Sequence, residues 1–318
     1  MRIFFFLGSL NFFVGLFAQN AEQFFFPCNG YKEQWLTGTL LTPFEEAIPK
    51  GSYVFDFYFY NTADIGEYNS HWHTISSRNY YSLIPSIYFF YGITDRLTLS
   101  FFPAVQYTTT DGTSGFGFQD LPCALSYQIL QRNTWDYFPG ILLSIMETFP
   151  AGKYKNLNPH KLYTDQTGDG SFITTFVLTF YDVYCLGGQY FAPYIDIEYD
   201  LWSNISVTGY NTYGGGYGTH GKLSGGDNLD FYFGFEYSFT RHFVLSFDFE
   251  YTHKNRLSFS GKQTAFTGRA SSEQFSIAPA IEYDFNEYFG INTGLWFTLA
   301  GRNTPQFVSG IVNFSSFF

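Results

Sequence analysis

Carboxylates recur at alternate positions in several short runs of this chain. Asp196, Glu198 and Asp200 are spaced two apart, as are Asp248 and Glu250, and Glu282 and Asp284. Asp230 and Glu236 share one parity of the run 229–238, and Asp56 stands among the Phe and Tyr residues of 53–60. Residues two apart on an extended chain point to the same side. These ten acids therefore gather on one face of their strands. Such a face, lining enclosed water, concentrates cations and repels anions. The bland reading is a hydrated interior that only holds water.

The opposite parity says what stands behind that face. Leu229, Phe231, Phe233, Phe235 and Tyr237 alternate with polar residues, a turn follows at Thr240, Arg241 and His242, and Phe243, Leu245, Phe247, Phe249 and Tyr251 resume the pattern. Two adjacent period-two runs read as a β-hairpin. Aromatics make up 23% of the chain and charged residues only 14%, while mean hydropathy is −0.09. Beyond the N-terminus no window approaches the roughly 20 apolar residues of a membrane helix. An aromatic face meeting lipid and an acidic face meeting a lumen account for both facts. A buried charge facing hydrocarbon would cost a few kcal/mol at mid-depth, so the acids face inward. The net charge of −11 argues against nucleic acid as a partner.

The elements that must position these faces follow in order. Residues 1–18 read as an export signal: Arg2, an apolar stretch from Ile3 to Phe17, and Ala18 as the cleavage residue. Residues 19–50 lack a clean period and are expected to rest in the periplasm or to fold into the lumen as a plug. Residues 51–318 resolve into about twelve antiparallel strands. Long polar connections at 61–80, 108–118, 150–170, 203–227 and 254–272 alternate with short turns. Even strand number with long loops on one side and short turns on the other is the form of an all-β, up-and-down outer-membrane barrel. Pro85, Pro103, Pro122, Pro193 and Pro279 interrupt strands and belong near strand ends or bulges. The terminal strand ends on Phe318, a candidate signal for the barrel assembly machinery. The surroundings implied are outer-membrane lipid and lipopolysaccharide of a Gram-negative-type cell.

Other chemistry finds little support. His71 and His73 flank Trp72 in a loop with no third metal ligand placed by sequence, so no metal site and no cofactor is expected. Cys28, Cys123 and Cys185 are an odd count and fix no disulfide framework, although a Cys28–Cys185 bridge is conceivable. A hydrolase would need a His-x-Ser strand motif, which is absent, or a rim pairing of Asp200, Asp227 and Asp230 with His220, which no spacing requires. No enzyme activity is expected.

One stretch resembles a known family. The segment GFGFQDLPCALSY at 115–127, then FPAGKY at 149–154, then TGDGSF at 167–172 is similar to the Gly-x-Gly-Asp, Pro-x-Gly-x-Tyr and Gly-x-Gly pattern of a family of outer-membrane transporters named for the meta-cleavage pathway of phenol degradation. Gln119 stands where that pattern has Gly before Asp120. The resemblance covers roughly 92–200 and implies a barrel that passes hydrophobic or aromatic compounds.

The expectation is a passive channel for small solutes, aromatic compounds or cations, through a narrow acidic lumen. The alternative is a structural or adhesive surface barrel with a closed lumen.

Overall fold

The computed structural model describes residues 36–42, 46–132, 138–186 and 189–318. The expected signal segment 1–18, Cys28 and residues 19–35 lie outside the described residues. No helix among the described residues is long and apolar enough to cross a membrane.

Twelve strands close into one antiparallel barrel. We label them β1 (Tyr53–Tyr68), β2 (Tyr80–Thr94), β3 (Leu97–Phe101, continued by Val105–Thr110), β4 (Thr113–Phe118, continued by Leu121–Leu130), β5 (Gly140–Phe149), β6 (Ile173–Tyr181), β7 (Gln189–Trp202), β8 (Asn228–Ser238), β9 (Phe243–Lys254), β10 (Ser272–Asn286), β11 (Phe289–Arg302) and β12 (Thr304–Phe317). Each pairs with its neighbours in sequence, and β1 pairs with both β2 and β12. Closure leaves the barrel wall without the two open edges of a flat sheet. At the seam Tyr53 and Phe318 exchange both backbone hydrogen bonds at 2.8 Å, and their rings stack at 5.3 Å.

Period two sets the two faces. In the β8–β9 hairpin Leu229, Phe233, Phe243 and Leu245 are exposed on the outer wall, while Glu236, Ser238, Val244, Ser246 and Asp248 are buried inside. Cross-strand aromatic pairs build the outer band: Phe235 lies 5.4 Å from Phe191 and 5.8 Å from Phe247. Burying these rings in lipid rather than in a protein core is what lets so many stay exposed.

The connections alternate as expected, with differences in extent. β1 continues to Tyr68, so the first long connection is shorter than 61–80. The expected loop at 108–118 is largely paired: Val105–Thr110 and Thr113–Phe118 extend β3 and β4 beyond the wall around a turn at Asp111 and Gly112, both with positive φ. Asp-Gly with two left-handed residues is the favoured two-residue hairpin turn. The long stretch 203–227 also folds: Ile205–Thr208, His220–Gly225 and Leu257–Lys262 form a separate three-stranded sheet over the long-loop end. Pro103 falls in the gap dividing β3, and Pro279 faces a stretch where β10 and β11 skip register pairs. Pro85 and Pro193 differ from the expectation: they sit inside β2 and β7, in unbroken register with Phe59 of β1 and Phe235 of β8.

Candidate functional site

Of the ten expected wall acids eight are buried and Glu198 and Asp200 are half-buried, and the ten divide into three groups by what they touch. The first group meets residues 37–41, part of a segment that enters the barrel from the short-turn end. Glu282 Oε1 accepts from Thr37 N at 3.1 Å, and Glu236 Oε1 accepts from Gly38 N at 3.1 Å. Asp248 accepts from the Thr39 hydroxyl at 2.5 Å, from Leu41 N at 3.3 Å and from the Tyr194 hydroxyl. Each carboxylate holds a chain segment that brings donors but no side-chain charge.

The second group is bound into the wall itself. Glu250 accepts from Ser276, Tyr232, Thr252 and Trp296 Nε1. Asp200 accepts from the Thr175 hydroxyl at 2.6 Å and Asn228 Nδ2 at 2.9 Å. Glu198 is half-buried and Asp230 is buried nearby on adjacent strands, where Glu198 pairs with Asp230 in register. Asp56, Asp196 and Asp284, the third group, are buried with carboxylate oxygens that receive no hydrogen bond of standard geometry among the described residues. Asp56 lies opposite Ser315 in the β1–β12 pair.

Sequence reasoning missed the neutral groups that share this work. Gln128 Oε1 accepts from Ala47 N at 2.9 Å, and Thr98 Oγ1 accepts from Ile48 N at 2.8 Å. Asn292 Nδ2 donates to Gly38 O at 3.2 Å. Their signal was a polar residue at an inward strand position, visible once parity is assigned. Apolar contacts complete the seat. Leu40 packs among Tyr58, Ala278, Ala280 and Ile311, and Ile48 packs on Val54 and Phe90. Gly92 makes room for the chain to pass: a Cβ there would lie 2.0 Å from Pro49 O and 2.5 Å from Ile48 O.

The motif residues 115–172 come together at the long-loop end. Asp120 Oδ1 accepts from Gly152 N at 2.7 Å, and its Oδ2 accepts from Asp169 N at 2.8 Å. The Tyr154 ring covers Gly170, whose φ of +75° and lack of a Cβ the contact requires. Tyr213 donates its hydroxyl to Asp169 O at 2.8 Å, tying the loop 203–227 to the same knot. The substituted Gln119 donates to Gln106 Oε1 at 2.9 Å and leaves the Asp120 geometry intact. Burial pushes the Asp169 carboxyl up from its ordinary value, with Lys254 and Arg269 opposing. Burial also pushes the Arg269 guanidinium down, and it sits 4.9 Å over the Trp202 ring.

The remaining candidates are not assembled into a site. His71 and His73 use their backbone N–H groups to cap Asn69, and among the described residues no three acid, His or Cys groups are placed to hold a metal. Asp227 accepts from Trp202 N at 3.1 Å, and His220 is exposed in the loop sheet opposite Lys262. Cys123 and Cys185 are free thiols.

Comparison with known proteins places the fold. An outer membrane channel from Pseudomonas putida F1 superposes with a TM-score of 0.66 at 16% identity, over 86% of this chain and 98% of that one. The translocator domain of the autotransporter NalP from Neisseria meningitidis gives 0.45 at 10% identity, over 86% and 90%. The toluene transporter TodX of P. putida gives 0.36 at 12% identity, over 85% and 91%. No protein-family model and no curated protein matches the sequence. What the chain shares with the P. putida F1 channel is the outer-membrane β-barrel fold.

Proposed function

We propose that this protein is an outer-membrane channel for small solutes, constricted on its short-turn side by residues 36–42 and 46–50. The observation that carries this reading is the grip of Asp248, Glu236 and Glu282 on Thr37 to Leu41. A barrel serving only as a surface scaffold has no need to hold a chain segment inside it by backbone donors. The segment is seated by hydrogen bonds and two apolar side chains, Leu40 and Ile48, with no disulfide among the described residues, which suits a restriction that can shift.

The solutes are hydrophobic or aromatic compounds or cations. Tyr58, Tyr60, Tyr88 and Trp296 beside the segment supply aromatic surface, and the acids supply negative potential. The likeness of the Asp120 knot to the phenol-degradation transporter motif supports the aromatic side of that choice. Residues 1–18 direct export, and the Phe318 strand is read by the assembly machinery. Loop cations such as Lys153, Lys155, Lys161, Arg256 and Lys262 face the phosphates of lipopolysaccharide.

Planar-bilayer conductance tests the reading. The full chain is expected to give small discrete steps, and deletion of residues 36–50 to give larger ones. Silence from both proteins, each folded, would instead support the closed structural barrel.

A further inference from the structure

We infer that the lumen seat filled by Thr37 to Leu41 is a recognition site for an amphipathic organic ammonium ion, a primary amine on an apolar body, which competes with that segment. The inference rests on the channel reading and names its solute class.

The seat has two halves. One is apolar: Leu40, 1% exposed, lies among Tyr58, Ala278, Ala280 and Ile311, with Tyr60, Tyr88 and Trp296 packed at its margin. The other consists of acceptors: Glu282, Glu236 and Asp248 receive Thr37 N, Gly38 N, Leu41 N and the Thr39 hydroxyl. The chain thus fills its own lumen with an aliphatic side chain flanked by hydrogen-bond donors. An alkyl or aryl amine has the same layout.

The built-in occupant brings hydrogen-bond donors but no positive charge to these acids. Among the described residues no ion pair joins Asp56, Asp196, Glu236, Asp248 or Glu282 to a basic side chain. The wall also keeps oxygens that receive no hydrogen bond of standard geometry among the described residues: both of Asp56, Oδ1 of Asp196 and Oε2 of Glu282, on residues no more than 2% exposed. An ammonium brings three donors and a full positive charge. The Tyr58, Tyr60 and Tyr88 faces add cation–π attraction. A neutral arene satisfies only the apolar half, a potassium ion only the acceptor half, and an aromatic carboxylate is repelled by the acids.

The test is calorimetric titration of the full folded chain in detergent with 2-phenylethylammonium chloride, potassium chloride and potassium 3-phenylpropionate. The amine is expected to bind and the other two salts not to. Asp248→Asn is expected to weaken the amine by about tenfold, the scale of one charge-assisted hydrogen bond. Leu40→Ala, which shrinks the resident side chain and leaves the strands untouched, is expected to tighten it several-fold. The inference is overturned if phenylpropionate binds as well as the amine, or if folded Asp248→Asn binds the amine unchanged. Should Asp248→Asn not fold, Leu40→Ala decides, and unchanged affinity there overturns the idea. Bilayer recordings separate the two proposals. Amine binding without current removes the channel and keeps the site; potassium current without amine binding removes the site and keeps the channel.

Discussion

Thr39 and Asp248 meet at 2.5 Å across 209 residues of sequence, hydroxyl to carboxylate, inside the barrel. Hydrogen bonds to a charged group contribute about 1.5–3 kcal/mol, so this contact weighs heavily in holding the segment. Thr39→Ala should raise local opening of residues 37–42 by at least about tenfold, since each 1.4 kcal/mol is a factor of ten. Amide hydrogen exchange of the reconstituted protein reads this directly, and barrel-strand amides should stay protected. Unchanged exchange at 37–42 would show that the contact does not latch the segment.

Gly92 controls where the chain enters. An added Cβ would collide with the backbone oxygens of Pro49 and Ile48, which cannot rotate away as a side-chain tip would. Gly92→Ala should therefore displace residues 46–50 and cost about 1–3 kcal/mol, the usual scale of overpacking. The expected signs are a lower unfolding midpoint and larger conductance steps from a barrel that still migrates as folded on a cold gel.

Asp120 holds two loop segments through Gly152 N and Asp169 N. Asp120→Ala leaves both donors without their acceptor and should free the loop 150–170. Limited trypsin digestion should cut faster at Lys153, Lys155 and Lys161, by about tenfold if one charge-assisted bond's worth is lost. Asp120→Asn retains one accepting oxygen and should fall between.

Asp169 gives this loop knot a pH dependence. Its carboxyl is raised by burial, so the folded loop holds the proton more firmly than the unfolded chain does. Stability from this group is thus greatest below the ordinary carboxylate value of 3.8 and declines as pH rises through the raised one. Tryptic half-life of the loop is hard to read at acid pH, so pepsin and exchange mass spectrometry serve. Asp169→Asn should flatten the profile; a profile as steep as the parent's would exclude Asp169 as its source.

Phe233 tests the lipid face. It is exposed at the middle of β8, and Phe233→Arg places a charge against hydrocarbon at a cost of about 2–4 kcal/mol. Leu245→Arg, near the short turn of the same hairpin, should cost less because depth sets the penalty. Urea titration of refolding into lipid vesicles compares the two, and equal penalties would argue against a membrane-embedded wall.

Much of this architecture was legible because its rules are local. The alternation of Phe233 and Phe235 with Gly234 and Glu236 gives faces, and the rhythm of loops gives strand number and closure. The hairpin at Asp111–Gly112 was also legible, since Asp-Gly between alternating residues signals a tight turn. The Gly and Thr content of 108–118 points instead to a loop and masks that dipeptide. Residues 36–42 and 46–50 were different. They carry no period, since a segment seated by its backbone N–H groups places little demand on which side chains it bears.

By itself the sequence determined that acids face one way and aromatic rings the other, because side-chain direction in a strand depends only on position parity. Only the tertiary structure decided which acids hold the entering segment and which brace the wall. That division depends on strand register and on where a distant stretch of chain comes to lie. Asp248 and Glu250 have the same parity and the same charge, yet one meets Thr39 and the other Ser276 and Trp296. No short-range pattern encodes contacts between residues so far apart in the chain.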